Sequence, residues 1–336
     1  MNSPATLLLG AWLTVCFFWI GTLLGALANV WLHNLTGGTW GEAIRDDLLR
    51  LSRQLPLVSL LTLPLWADTG SLYPWVTHAA QGAQRWQGQI ALPQFKSFWL
   101  APGFFVARAI AYLLIWNALA QLSHRPALAR SPQFSAIALI VYGFTAGLAA
   151  VDWIMSLMPL WYSSVFGWLV DAGQVLAGMA FAIAIAMRRH PPPDAQTCRD
   201  LGNLLLTYVL TWAYLAFSQF LIIWAEDLPH EIHWYVVRSR GPWPIVAQLL
   251  ALGLFFVPIL LLLSRRVKQS PLLLGRLAGA VLLMQFVDTA WLVLPSLDIA
   301  PPQWAWALPV AVAVALCIAV SMWRWQRHER VEIGHV

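Results

Sequence analysis

Residues 151–174 read VDWIMSLMPLWYSSVFGWLVDAGQ. One apolar segment ends inside this stretch, a short turn follows, and a second apolar segment begins. A carboxylate stands on each side of the turn, Asp152 before it and Asp171 after it, each within otherwise lipid-like sequence. Ionisable side chains inside a bilayer are costly and are kept for a function or held by a partner. The stretch therefore reads as a hairpin of two membrane helices, and each acid sets a search for what it pairs with.

The rest of the chain agrees with that class. Of 336 residues, 60% are hydrophobic and only 10% charged, and the mean hydropathy is +0.66. So few polar groups cannot cover the surface of a water-soluble domain of this length. Apolar runs of about 20 residues recur, each long enough to cross a hydrocarbon core ~30 Å thick. The alternation of a β-barrel strand is missing. The fold class is all-α, a polytopic transmembrane helical bundle.

Nine spans are expected, over residues 7–32, 48–67, 98–122, 132–157, 164–187, 204–225, 242–263, 272–294 and 302–323. The second carries Pro56 and Pro64 and reaches full length only with Arg50 and Arg53 extended to the interface. With nine alternating spans, 14 basic residues collect on one side: Arg45, Arg50, Arg53, Arg125, Arg130, Arg188, Arg189, Arg199, Arg265, Arg266, Lys268, Arg324, Arg327 and Arg330. The other side receives 4, namely Arg85, Lys96, Arg238 and Arg240. By the positive-inside rule the N-terminus is outside and the C-terminus cytoplasmic. Trp66, Trp99, Trp161, Trp224, Trp243, Trp291, Trp304 and Trp306 gather at expected outer ends, where indole rings anchor at the interface.

The chain reads as one integral membrane domain: a five-span half (1–187), a cytoplasmic linker (188–203) with a PPP run, a four-span half (204–325) and a cytoplasmic tail (326–336). The +5 charge belongs to short basic clusters between spans, so it reads as topology rather than as a nucleic-acid surface. Three pairs, Gly21 with Gly25, Gly143 with Gly147, and Gly275 with Gly279, have the spacing that lets helices approach closely. The N-terminal segment, lacking a basic leader and too long for a signal peptide, is expected to stay in the membrane.

At ~1.5 Å per helical residue, Asp152, Asp171 and Asp288 lie roughly 8 to 11 Å below the outer ends of their spans and Arg108 roughly 15 Å below. Arg108 is therefore expected to pair with one or more of these acids. The four residues are the candidate buried charge cluster, read either as an outer half-channel for protons or as a structural ion pair. A polar stripe, Thr207, Thr211, Tyr214 and Ser218, recurs at helical spacing on the sixth span. It reads as a proton wire or as hydroxyls bonded to their own backbone. It points towards an outer mouth of Glu226, Asp227, His230 and Glu231.

All eight histidines (His33, His78, His124, His190, His230, His233, His328 and His335) fall at span ends or in loops, which disfavours an intramembrane haem. Cys16, Cys198 and Cys317 are far apart and suit neither an iron–sulfur cluster nor a haem attachment. The HEIH run at residues 230–233 does not have the spacing of a zinc protease helix. No metal and no redox cofactor is expected on this chain.

Several motifs in order resemble one family. They are HNLTGGTWGEAIRDDLLRLSRQLPLVSLLTLPL at residues 33–65 with LYPW after it, VDWIMSL at 151–157, DLGNLLLTYVLTWAYLAFSQFLIIW at 200–224, LPHEIHWYVVR at 228–238, LLLLSRRVK at 260–268 and VDTAWLVLP at 287–295. Together they resemble the ActF-type membrane subunit of alternative complex III, quinone-binding subunit 2 of a quinol:cytochrome c oxidoreductase.

The resemblance implies a subunit of the bacterial inner membrane without a redox centre of its own. Its expected partners are an NrfD-like quinol-binding membrane subunit and subunits carrying haem c and iron–sulfur clusters. A proton-conducting role is implied as well. Asp152 matches the acid of the family's DW motif, Asp288 that of its VD motif, and Glu231 an acid of its LPEE loop. The chain departs from the family at Met158, Pro159, Leu160 and Trp161, where Glu-Pro-His-Trp is usual, and at His230, where Glu is common. Glu226 and Asp227 replace a more neutral pair, and the familiar form has one more N-terminal helix. These differences suggest a shortened or divergent paralogue. A stand-alone proton-coupled carrier and a membrane scaffold without chemistry are the other readings of the same residues.

Overall fold

The computed structural model describes residues 4–89 and 92–297. The described chain is helical, without a strand. Seven of its helices are long and apolar enough to cross a membrane: Pro4–Thr36, Pro102–Ser123, Pro132–Leu157, Phe166–Ala186, Ala195–Glu226, Trp243–Leu263 and Pro271–Leu297. The expected ninth span, 302–323, lies outside the described residues.

Helix α1 (Pro4–Thr36) is apolar on every side and is the axis of the bundle. Nearly every residue from Gly10 to Trp31 is buried, which the lack of a polar face permits. After α1 come α2 (Thr39–Ser52), α3 (Leu55–Leu61), α4 (Leu63–Ala67) and the single turn α5 (Thr69–Leu72). A 3₁₀ segment (Val76–Trp86) and α6 (Pro93–Trp99) lead into α7 (Pro102–Ser123), and α8 (Pro132–Trp153) continues through a 3₁₀ turn to Leu157. Beyond the hairpin lie α9 (Phe166–Ala186), α10 (Ala195–Glu226), α11 (Pro229–Arg238), α12 (Trp243–Leu250), α13 (Val257–Leu263), α14 (Arg265–Gln269) and α15 (Pro271–Val293). Helices α12 and α13 join through a π-helical stretch, Ala251–Phe256, just before Pro258, whose ring nitrogen cannot donate to the ordinary helical partner.

Glycine sets the central crossing. A Cβ on Gly25 would stand 1.8 Å from the Gln174 carbonyl oxygen, and one on Gly178 would stand 2.4 Å from the Ala26 nitrogen. Helices α1 and α9 therefore meet backbone to backbone, as the small-residue spacing predicts. Gly147 meets Gly167 in the same way between α8 and α9, with 3.1 Å from a Gly167 Cβ to the Gly147 Cα. Gly279, by contrast, has no neighbour within 4 Å. Since α9 packs on α1, α8, α10 and α15, the two halves of the sequence interlock as one body. The expected linker is also shorter than 188–203, because α10 begins at Ala195 with Asp194 as its N-cap.

The expected second span, 48–67, is not one continuous helix. Pro56 and Pro64 lack an N–H and clash with the preceding turn, so the helix restarts at each, as α3 and as α4. The joints keep helical backbone and tighten to i→i−3 bonds, Gln54 N–H to Leu51 O at 3.1 Å and Thr62 N–H to Ser59 O at 3.1 Å. The break frees the Leu61 carbonyl, which the Trp12 indole of α1 takes at 2.6 Å. In an apolar surrounding such a carbonyl has to find a protein donor. The segment runs antiparallel to α1, tied to it by Arg45 to Asn34 at 2.7 Å near one end and by Thr6 to the Ser71 carbonyl at 2.8 Å near the other.

Candidate functional site

Four hydrogen bonds converge on the Asp152 carboxylate. Phe104, Arg108 and Tyr112 recur every four residues on α7 and so share one face. The Arg108 Nε donates to Asp152 Oδ2 at 2.9 Å and its Nη2 to Oδ1 at 3.0 Å. The Tyr112 hydroxyl adds 2.9 Å to Oδ2, and the Trp99 indole adds 2.8 Å to Oδ1. The Arg108 guanidinium lies over the Trp99 ring, 4.0 Å from its centroid, and over Phe104 at 4.4 Å. Asp152 is 1% exposed. Four hydrogen bonds, two of them from a bidentate arginine, fill the acceptor sites of an ionised carboxylate. The pairing expected from sequence forms, and it clamps α6, α7 and α8 together.

The other two acids do not join it. Asp171 on α9 is buried, and among the described residues neither of its carboxylate oxygens has a hydrogen-bond partner. Its Oδ2 lies 3.5 Å from the position of a Gly147 Cβ, under the close α8–α9 crossing. Asp288 on α15 is buried on the opposite side of α9 and receives the Trp212 indole of α10 at 3.2 Å. Depth along a span, which the sequence gives, carries no information on direction around the bundle. The three acids occupy separate helix junctions.

Between Asp171 and Asp288 runs a line of neutral polar groups. The Tyr142 hydroxyl donates to Gln174 Oε1 at 3.0 Å, with the Asp171 main-chain carbonyl 3.5 Å away. Gln174, Gln285, Asp288, Thr22 and Thr289 line a cavity of about 20 Å³ between α1, α9 and α15. Deeper in the bundle, Asn29 Nδ2 bonds the Gly25 and Val175 carbonyls at 2.8 and 3.0 Å while the Tyr208 hydroxyl donates to its Oδ1 at 3.0 Å.

Arg238 is a further buried cation that the sequence reading left among the loop residues. It is 3% exposed. Its Nε reaches the Trp291 carbonyl at 3.1 Å, and its Nη2 reaches the Leu292 carbonyl at 2.7 Å and the Ser296 hydroxyl at 2.9 Å. The C-terminal carbonyls of a helix carry partial negative charge, so α15 offers this guanidinium a neutral counterpart. The Trp234 ring lies 3.2 Å beneath it and stacks on Trp161 at 4.0 Å and 15°. Burial holds the guanidinium pKa well below its usual value. The signal in the sequence is the four-residue spacing from Trp234 to Arg238, which puts ring and cation on one face of α11.

The polar stripe is on the outside. Thr207, Thr211 and Tyr214 are exposed on α10 and Ser218 is half-buried. Thr207 and Thr211 donate to the carbonyls of Asn203 and Thr207 at 3.0 and 2.9 Å, each four residues back. The stripe therefore does not meet the buried acids. At the expected outer mouth Glu226, Asp227 and His230 are exposed, and Asp227 ends α10 in the left-handed region with φ 51°. Glu231 is buried, 3.9 Å from the His230 ring nitrogen. Burial, with the Glu226 carboxyl beside it, raises the Glu231 pKa above the usual carboxylate range.

The opposite end of the bundle holds a second set of charges. Arg130 pairs with Glu42 at 2.6 and 2.9 Å, Arg189 with Asp47, and Arg45 with Asn34 and the Ala129 carbonyl. Among the described residues no group of three or more His, Cys, Asp or Glu side chains is placed to hold a metal ion. No protein-family model matches the chain, and no curated protein matches it significantly.

Proposed function

We propose that this chain is a cofactor-free membrane subunit of a quinol-oxidising respiratory complex of the quinol:cytochrome c oxidoreductase type. Its place is the bacterial cytoplasmic membrane, with nine passes, the N-terminus outside and the C-terminus inside. The interrupted α2–α4 segment counts as the second pass because it runs the length of α1 between the two charged ends. Its partners are an NrfD-like quinol-binding membrane subunit and subunits carrying haem c and iron–sulfur clusters, which supply the electron transfer.

One observation carries the reading. The motifs that resemble the ActF-type family are far apart in sequence and meet in space. The Tyr73 hydroxyl of LYPW donates to the Trp153 carbonyl of VDWIMSL at 3.1 Å. Arg238 of LPHEIHWYVVR holds the Trp291 and Leu292 carbonyls of VDTAWLVLP. Such interlocking suits a rigid body that docks against partners. The interior cavity at Asp288, about 20 Å³, is too small for an organic substrate, which weighs against a carrier.

The test is purification of the tagged chain from native membranes in a mild detergent, with absorption spectra and mass spectrometry of what accompanies it. Haem c and iron–sulfur subunits in stoichiometric amounts are expected. A stable, colourless single chain would overturn the proposal and favour a stand-alone carrier or a membrane scaffold.

A further inference from the structure

The cavity between α1, α9 and α15 carries an inference that is independent of complex membership. Its lining includes the polar side chains of Thr22 from α1, Gln174 from α9, and Gln285, Asp288 and Thr289 from α15, among apolar neighbours such as Phe17, Phe18 and Leu292. Gln285 Nε2 is buried, and among the described residues it has no hydrogen-bond partner. Asp288 accepts from Trp212 through Oδ2, and among the described residues no protein donor reaches its other oxygen. Both threonine hydroxyls spend their protons on carbonyls four residues back, Thr22 on Phe18 at 2.8 Å and Thr289 on Gln285 at 3.0 Å. Their lone pairs remain for another donor. Gly173 belongs to the design, since a Cβ there would stand 3.0 Å from Gln285 Oε1.

We propose that this cavity is a built site for one water molecule. The size limits the occupant: a water needs a space of at least roughly 10–15 Å³ and two to four polar partners, and this site of about 20 Å³ admits water and is too small for an organic ligand. The chemistry selects it as well. The orphaned Gln285 N–H needs an acceptor, while Asp288 and the threonine oxygens need donors, and a neutral water is both at once. A metal cation would leave the Gln285 N–H facing a positive charge. Bound there, the water joins Asp288 and Gln285 to Gln174 and through it to Tyr142 beside Asp171. A hydrogen-bonded line then runs around α9 from Asp288 to Tyr142 at the Asp171 main-chain carbonyl; among the described residues the Asp171 carboxylate oxygens do not join it, and Asp152, saturated by its own donors, is left out.

Infrared spectroscopy of the purified protein in lipid tests this. In H₂¹⁶O and H₂¹⁸O the difference spectrum is expected to show an internal-water O–H band that shifts with the isotope. That band should disappear in Gln285→Leu and persist in Thr207→Val, which alters the exposed face of α10. Thr289→Val is the second variant should Gln285→Leu fail to fold, and it is expected to shift the band. A band unchanged in both cavity variants would overturn the proposal, as would the lack of any isotope-sensitive band. So would thermal stability that rises in sodium relative to choline in the wild type and not in Asp288→Asn, because that pattern assigns the site to a cation.

Discussion

At the scale of single residues, the Arg108–Asp152 clamp is where membrane physics leaves least freedom. Removing one member of a buried ion pair strands the other, at a typical cost of 3–5 kcal/mol. Asp152→Ala is therefore expected to destabilise the protein by about that amount, read as a lowered thermal transition in detergent. The double variant Arg108→Leu/Asp152→Leu should recover most of the loss, since no charge is left unpaired. A wild-type transition in Asp152→Ala would show that the clamp holds nothing together.

This pairing was legible in the sequence because few charges lie within the spans and each needs a partner. The separation of Asp171 and Asp288 was not legible, because it depends on which way each helix faces. Arg238 was missed for a related reason: a cation in a loop looks solvated until the end of α15 folds over it.

Glu231 belongs to the same scale and predicts a pH dependence. Its folded pKa is raised by burial and by the neighbouring Glu226, with His230 opposing. The stability it contributes is therefore fully present below the ordinary glutamate value of 4.5 and is lost as pH rises through the folded value. Glu231→Gln removes that loss. The variant should match the wild type in acid and exceed its thermal stability near neutrality, in a pH series of unfolding transitions. A constant difference across the series would exclude Glu231 as the titrating group.

At the scale of elements, the α1–α9 crossing decides the architecture, and it was half visible. The Gly21–Gly25 spacing permitted a close helix contact, while the burial of α1 on all sides was not legible in its sequence. The partner itself, through Gly178, lies outside any such motif in the sequence. Gly25→Leu puts a side chain where a Cβ alone would meet the Gln174 carbonyl at 1.8 Å. The helices have to part, at a cost on the order of 1–3 kcal/mol, and the transition temperature should fall. Gly279→Leu, a glycine with open space around it, should leave that temperature near the wild-type value. The 48–67 segment teaches a complementary lesson. Its hydropathy gave a span, whereas its two prolines divide it into short helices, and at the second joint Trp12 meets the freed Leu61 carbonyl.

At the scale of the whole molecule, the chain has two chemically distinct ends. Arg45, Arg130 and Arg189 gather at one, and the Arg238–Trp234–Trp161 stack with Glu226 and Glu231 occupies the other. The helices alternate in direction between these ends, and the proposed topology puts the arginine-rich end in the cytoplasm, as the positive-inside rule expects. In a background with its cysteines replaced, Glu226→Cys and Gln133→Cys mark the two ends. A membrane-impermeant maleimide applied to spheroplasts should modify the first and spare the second until the membrane is opened. The reverse pattern would invert the topology and place the interior acids in the cytoplasmic half. Labelling of both before opening would mean that α8, α9 and α10, the three helices between the two positions, do not alternate across the membrane. The experiment therefore reads the orientation of the bundle from one pair of positions.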